Sequence, residues 1–359
     1  MRLRLVCKDW NIHILHNLRW VHRVSPRALG LTVNIPRSPI AVLDCEGCSL
    51  DAIRMITRSR GLHIRSLHIH LEDFGEPTKV LVDMAKNYLP NLVALSIHID
   101  WEPQPLLFCD ISDQLPRLKA LSISAGRQTD QLGLYVPGVH PATEPFLSLG
   151  GVSCSMPSLE VLDIPSNSQE ILKVPSQLRL PVLRHLYGRG VDILKSRAFL
   201  NQFGHQLCSL GLYGSKDPAC RITYEEFFQQ LPNMTLLAVD FRAFKLLGAP
   251  PPNLGRLDTL VHLGPVYPDL FNNSLVLEFM GSGWIGSNRT FRMSDVWLPT
   301  CKSGVRTEWI KKNTLHYSRE EHDVMMRWDN KFLKAGVRLE DMEGLTYAEA
   351  EAMRLTKAR

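Results

Sequence analysis

The chain is 359 residues long, 45% hydrophobic and 21% charged, with a formal net charge of +5. Its apolar content is too high for a disordered chain, its charge too mild for a nucleic-acid binder, which needs a strong basic stripe, and no apolar run approaches the ~20 residues of a membrane helix. Eight scattered cysteines with no secretory leader before Arg2 read as reduced thiols, and so as a protein of the cytoplasm or nucleus.

Residues 1–24 carry Arg2, Arg4, Lys8, Arg19 and Arg23 against Asp9 alone, so most of the positive excess is local. The segment reads Leu3-Arg-Leu-Val-Cys-Lys-Asp-Trp10, then Leu18-Arg-Trp20. Leu3, Val6, Cys7 and Trp10 fall on one helical face, which suits packing into a small helical bundle. The pattern resembles the C-terminal part of an F-box, where a Leu-x-x-Val-Cys-Lys/Arg-x-Trp helix precedes a Leu-Trp-like pair. The matching residues are Leu3, Val6, Cys7, Lys8, Trp10, Leu18 and Trp20. The opening Leu-Pro-x-Glu-type helix of that family has no counterpart here, so the resemblance is to an N-terminally truncated F-box. It implies either a fragment or mis-started gene product, or a protein that has lost ligase docking.

Cys45-Glu-Gly-Cys48 has zinc-finger spacing, but a structural zinc site needs four ligands and no second pair follows at a suitable distance. Two reduced cysteines in a turn before a helix at Leu50 are expected instead.

A repeat then runs along the chain. Five segments share the pattern [Leu/Met]-Pro-x-[Leu/Met]-x-x-Leu-x-[apolar or Gly], starting at Leu89, Leu115, Met156, Leu180 and Leu231. Weaker copies centre on Leu67, Leu210, Leu260 and Leu277. The central leucines stand at 67, 95, 121, 162, 186, 210, 237, 260 and 277, in steps of 28, 26, 41, 24, 24, 27, 23 and 17. Most steps fall within the ~20–29-residue period of leucine-rich repeats. The step of 41 contains a Pro/Gly-rich stretch, Val136 to Pro157, which reads as an inserted loop.

Each x-Leu-x-Leu is expected to be a short strand of period two. Amphipathic helices are expected at Leu50–Arg60, Thr78–Tyr88, Arg197–Gln206 and Tyr224–Leu231, with Val80, Leu81, Met84 and Ala85 as an example of the apolar spacing. The proline of Leu-Pro-x-Leu fits a helix end. No unit buries its apolar face alone, and stacking yields parallel strands on one side with helices on the other. The fold class is therefore α/β, a leucine-rich-repeat solenoid.

Strand alternation places His68, His70, Ser96, His98, Ser122, Ser124, Asp163, Tyr187, Arg189, Gly211, Tyr213 and Asp240 outward. This face is expected to bind a partner, with His68, His70, His98, Tyr187, Arg189, Tyr213 and Asp240 as its contact residues, because solenoids present such surfaces and Tyr and Arg are frequent hot spots. His68, His70 and His98 are also a possible set of three metal-binding imidazoles. Strand histidines on a protein-binding surface are commoner, so no metal and no cofactor is assigned.

Gly281-Ser-Gly-Trp-Ile-Gly286 matches Gly-x-Gly-x-x-Gly, but no apolar helix follows to face a pyrophosphate. A loop is expected there. From about Met293 the repeat is lost. Ser318-Arg-Glu-Glu321 is a capping box opening a helix with Val324, Met325, Trp328 and Phe332 on one face, and Thr346-Tyr-Ala-Glu349 opens a second. The expected organisation is partial F-box helices at 1–24, irregular repeats at 25–292 with an insertion about 126–157, and a C-terminal cap and helical tail at 293–359.

An F-box remnant followed by irregular leucine-rich repeats resembles the divergent receptors of Skp–cullin–F-box ubiquitin ligases found in fungi. That resemblance implies a substrate receptor. Leu3, Val6, Cys7, Trp10 and Trp20 would dock on a Skp-type adaptor, and the repeats would hold an unidentified protein substrate. The second reading is an interaction scaffold without ligase function. The third, an enzyme, lacks any recognisable catalytic motif, so no catalytic residue is assigned and neither nucleic acid nor membrane is expected as a partner.

Overall fold

The computed structural model describes residues 21–24, 42–46, 50–71, 77–99, 106–125, 147–148, 153–164, 169–173, 175–213, 224–239, 257–266, 290–296, 319–334, 336, 338–340, 346–349 and 352. They fall into two compact units, one reaching to Gln206 and the other starting at Leu207.

The first unit contains strands β1 (Val21–Val24), β2 (Val42–Glu46), β3 (Ser66–Leu71), β4 (Ala94–Ile99), β5 (Leu106–Leu107), β6 (Ala120–Ala125), β7 (Leu147–Ser148), β8 (Cys154–Ser155), β9 (Val161–Ile164), β10 (Leu178–Arg179) and β11 (His185–Arg189). Its helices are α1 (Leu50–Arg60), α2 (Pro77–Tyr88), α3 (Phe108–Gln114), α4 (Gln169–Lys173), α5 (Gly190–Lys195) and α6 (Arg197–Phe203). One sheet runs β1-β2-β3-β4-β6-β9-β11, every pairing parallel. The short strands form two further parallel pairs, β5 with β7 and β8 with β10.

The repeat leucines explain this order. Leu43, Leu67, Leu95, Leu121, Leu162 and Leu186 are successive register partners across the sheet. None is more than 2% exposed. Burying each such side chain contributes about 1.5–3 kcal/mol, and that term fixes the register, because a one-residue slip would turn the row to the opposite face. The step of 41 residues leaves the alignment intact: Leu121 still faces Leu162. The described residues of the inserted stretch lie outside the main sheet. Part of it, expected as loop, forms β7 and β8 instead, two short edges that borrow partners from β5 and β10.

The Leu-Pro-x-Leu motif has a more specific role than ending a helix. In each of the five copies the fourth residue's N–H donates to the first residue's carbonyl, at 3.0–3.3 Å, closing a tight turn. The proline occupies the second position of that turn, where its fixed φ is already suitable. In two copies the first leucine also closes the helix, with Leu89 N–H donating to Ala85 O and Leu115 N–H to Ile111 O, both at 2.9 Å. The two apolar residues of every copy are buried. A stair of shared carbonyls then links the repeats. Arg65 O, Val93 O, Lys119 O and Glu160 O each accept two consecutive N–H groups from the next repeat, at 2.8–3.1 Å.

The expected helices are present with small changes at their ends. Leu50–Arg60 is helical throughout, and Met84 and Ala85 of α2 are buried. The segment Arg197–Gln206 divides into α6 and a 3-10 turn over Gly204–Gln206. Cys45 was expected in a turn. It lies instead inside β2, fully buried and outside any disulfide, because Leu43 and Cys45 fill the two inward positions of that strand. Cys48 lies outside the described residues.

The second unit contains β12 (Ser209–Tyr213), α7 (Tyr224–Gln229), β13 (Leu236–Val239), β14 (Thr259–Val266), β15 (Thr290–Val296), α8 (Arg319–Lys334) and β16 (Arg338–Glu340). Its strands pair in parallel in that order. Leu210, Leu237, Leu260, Phe291 and Leu339 are successive register partners. Strand β16 thus continues the row beyond Met293, although no Leu-Pro motif marks it. Helix α8 starts one residue after the Ser318 capping position. It is followed by Gly336 in the left-handed region (φ 73°), whose N–H donates to Leu333 O at 3.0 Å, a helix stop that favours glycine. Phe332, Leu339 and Tyr347 are buried around this end. Thr346 and Glu349 form the expected reciprocal pair: Thr346 N–H donates to Glu349 Oε2 at 2.9 Å, and Glu349 N–H donates to Thr346 Oγ1 at 3.2 Å.

Among the described residues no helix is long and apolar enough to cross a membrane.

Candidate functional site

The outward positions of the first unit's sheet form two rows. Asp44, His68, Ser96, Ser122, Asp163 and Tyr187 are register partners in turn. Glu46, His70, His98 and Ser124 form the second row, one pleat along. The side chains of His68, Ser96, Ser122, Asp163 and Tyr187 are described, and the residues that alternate with them, such as Ile69 and Ile97, are buried in the core.

The first row changes character across the sheet. His68 and Ser96 are half-buried. Ser122 and Asp163 are buried at 5% and 8% exposure, and Tyr187 is fully buried. Ser122 Oγ donates to Asp163 Oδ2 at 2.9 Å. Tyr187 was expected to be an exposed contact residue, and that expectation is overturned. It occupies an outward register position, but the face is covered at β9 and β11, where even the four residues of β9 are all buried. Alternation reports which side of a sheet a residue takes and says nothing about whether that side meets water.

The second unit shows the same effect. The positions corresponding to His68 are Gly211, Ala238 and Val261, and all three are buried. The side chains of His70, His98, Arg189 and Tyr213 lie outside the described residues, although their strand positions are given. Asp240 lies outside them entirely, as do Leu3, Val6, Cys7, Trp10 and Trp20 of the F-box-like segment and the glycine motif at 281–286. The solvent-facing part of the described face is therefore the β3–β4 region around His68 and Ser96. Asp44 and Glu46 of β2 hold the register positions beside His68 and His70. The sequence did hold a signal for them: Leu43 stands 24 residues before Leu67, one further repeat step that lacks the Leu-Pro marker.

Among the described residues, the titrating groups with resolved shifts belong to the second unit. Burial raises the Asp329 carboxyl above the usual aspartate range, opposed by the Ala348 N–H that it accepts at 3.3 Å. Glu349 is lowered, first by the Thr346 N–H and then by Arg338, whose guanidinium donates to both its oxygens at 2.9 and 2.7 Å. Arg338 is raised in turn, chiefly by its hydrogen bond to buried Glu340 at 2.6 Å and then by Glu349. This cluster joins β16 to the following helical turn and has the character of a structural clasp. Among the described side chains no group of three His, Cys, Asp or Glu is close enough to hold a metal.

Register and period together define an α/β chain of stacked repeat units, each adding one parallel strand whose central apolar residue, in most units a leucine, joins a buried row within its own unit. No protein-family model matches the chain, and no curated protein matches it in sequence. Among solved structures it is similar to the leucine-rich repeat-containing protein LegL7 from Legionella pneumophila, at 16% identity over 87% of this chain and 97% of that one, with a TM-score of 0.41.

Proposed function

We propose that this chain is a protein-binding receptor, and that it serves as the substrate-recognition subunit of a Skp–cullin–F-box type ubiquitin ligase in the cytoplasm or nucleus, with no catalytic activity of its own. The observation that carries the binding role is the half-buried, polar stretch of sheet at His68 and Ser96, in a row whose members Ser122, Asp163 and Tyr187 are buried. A row of half-exposed polar residues on adjacent strands of a rigid sheet is a suitable platform for another protein. The ligase role rests on the F-box resemblance of residues 3–20.

Pull-down of the tagged full chain from cells that co-express a Skp-type adaptor tests both parts. The adaptor is expected to co-purify, and Trp10→Ala is expected to release it while leaving other captured proteins bound. The paired substitution His68→Glu with Ser96→Arg is expected to release a captured substrate while the adaptor stays. Failure to retain the adaptor sinks the ligase role and leaves the scaffold reading.

A further inference from the structure

We propose that the outer side of α1, around Met55, Arg58 and Leu62, is a docking site for an acidic amphipathic helix of a partner protein. Helix α1 buries Ile53, Ile56 and Thr57 in the core. Met55, Arg58, Ser59 and Leu62 are all exposed. They recur at the i, i+3, i+4 and i+7 spacing of one helical stripe, on the opposite side. Single exposed apolar residues are ordinary. Here two of the four exposed large apolar side chains among the described residues share one stripe, Met55 at 52% and Leu62 at 67% exposure. Beside them Arg54, Met55, Arg58 and Ser59 line an open recess of about 510 Å³.

The next repeat holds Arg58 and Leu62 in place. Arg58 Nε donates to Tyr88 Oη at 2.9 Å, and its guanidinium carbon lies 5.3 Å from the centre of that ring. This fixes one edge of the guanidinium and leaves its two Nη groups for a carboxylate. Asn91 Nδ2 donates to Leu62 O at 2.8 Å. Anchors ordered in advance lose less entropy when a partner binds. The charge sets the chemistry of that partner. Helix α1 carries Arg54, Arg58 and Arg60 against Asp51 alone, and no lysine. Arginine and methionine are enriched at protein interfaces and lysine is depleted. A guanidinium takes a carboxylate through paired hydrogen bonds. Met55 and Leu62 stand about 10 Å apart along the helix, the span of two turns of a partner helix. Apolar residues of an acidic segment at i and i+7 meet these two anchors while its carboxylates meet the arginines. The site shares no residue with the sheet face of His68 and Ser96, so it is tested separately from the receptor reading.

The test uses the purified full chain and a displayed library of random peptides of about 14 residues, roughly 21 Å long as helices. Selection on the wild-type chain is followed by counter-selection on Met55→Asp with Leu62→Asp. The surviving peptides are expected to be rich in glutamate and aspartate, with apolar residues three, four or seven apart. One of them, synthesised with a fluorescent label, is expected to bind the wild-type chain by anisotropy. Against Arg54→Glu with Arg58→Glu it is expected to lose at least roughly 10-fold in affinity, the effect of a hot-spot loss. The same peptide with lysine at its acidic positions is expected to prefer that charge-reversed variant. His68→Glu with Ser96→Arg is expected to leave peptide binding unchanged. If a variant does not fold by circular dichroism, a photo-crosslinking form of the peptide on the wild-type chain decides, with Met55 or Leu62 expected among the crosslinked residues. Five results each overturn the site: recovery of no peptide, or of peptides without acidic bias; equal binding by the folded charge-reversed variant; loss of binding on changing His68 and Ser96; crosslinks confined to other elements; or binding of phosphatidylserine vesicles or a DNA oligonucleotide to this helix in place of the peptides.

Discussion

Ser122 on β6 and Asp163 on β9, separated by the 41-residue repeat step, are joined side chain to side chain across neighbouring strands at 2.9 Å, on a part of the face closed to water. A buried hydroxyl that loses its acceptor carries the desolvation cost of an unmade hydrogen bond, about 1–3 kcal/mol. Asp163→Ala is therefore expected to lower stability by about that much, and Asp163→Asn by less, since the amide oxygen still accepts. In a double-mutant cycle with Ser122→Ala, measured by urea unfolding, the two changes are expected to couple by more than about 0.5 kcal/mol. Strict additivity would mean that the hydrogen bond contributes nothing to stability.

Gly61 follows α1 at a point where the chain touches the end of α2. A β-carbon at this position would overlap the carbonyl oxygen of Tyr88 and lie 3.1 Å from Leu89 Cδ2. The obstacle is backbone, so it yields only if the packing of α1 on α2 yields. Gly61→Ala is expected to cost at least about 3 kcal/mol, the upper end for overpacking. Gly188 is a milder case, with a β-carbon 2.9 Å from Ile164 O and 3.1 Å from Ile193 Cδ1. Gly188→Ala is expected to cost about 1–2 kcal/mol. Chemical denaturation of the two variants side by side checks the order, and a smaller cost at Gly61 than at Gly188 would contradict the contact geometry.

The contrast between those glycines bears on what the sequence made legible. Leu67, Leu95, Leu121 and Leu162 were readable as one row because a strand of period two with a fixed repeat step leaves a regular trace, and only one register buries all of them. The Leu-Pro turn was readable as punctuation, but its hydrogen bond was not, since a proline at a helix end and a proline inside a tight turn look alike in a string. Gly188 breaks the apolar pattern, and only the Ile164 carbonyl and Ile193 lying against it explain why. The candidate face was half legible. Alternation placed His68 and Tyr187 on the same side, whereas the burial that separates them depends on what covers β9 and β11, which no local pattern encodes.

The Thr346–Glu349 clasp gives a pH signature. Glu349 titrates below its ordinary range because Thr346 N–H and then Arg338 stabilise its charged form. A carboxyl lowered in the folded state contributes stability above its unfolded pKa and loses it as pH falls through the folded value. Glu349→Gln is therefore expected to be less stable than wild type at neutral pH, with the gap closing in the acid range. Asp329, raised by burial, runs the other way: its contribution is present at low pH and falls as pH rises through its folded value. Thermal unfolding of Glu349→Gln and Asp329→Asn across pH checks both signs. A gap for Glu349→Gln that stays constant at every pH would refute the linkage.

Tyr187 and His68 stand on the same outward row yet carry opposite expectations. Tyr187 is fully enclosed, so Tyr187→Ala removes a large side chain from packed surroundings and is expected to cost about 3–5 kcal/mol, the range for a buried aromatic. His68 is half-buried, and replacing it by alanine is expected to change stability by no more than about 0.5 kcal/mol, as at an ordinary surface position. Partner capture reverses the order of interest. His68→Ala is expected to weaken it with the fold intact, whereas Tyr187→Phe, which keeps the ring in place, is expected to leave it unchanged. Equilibrium unfolding and pull-down on the same three proteins separate the two roles. A Tyr187→Phe chain that folds normally but fails to capture its partner would return Tyr187 to the binding surface.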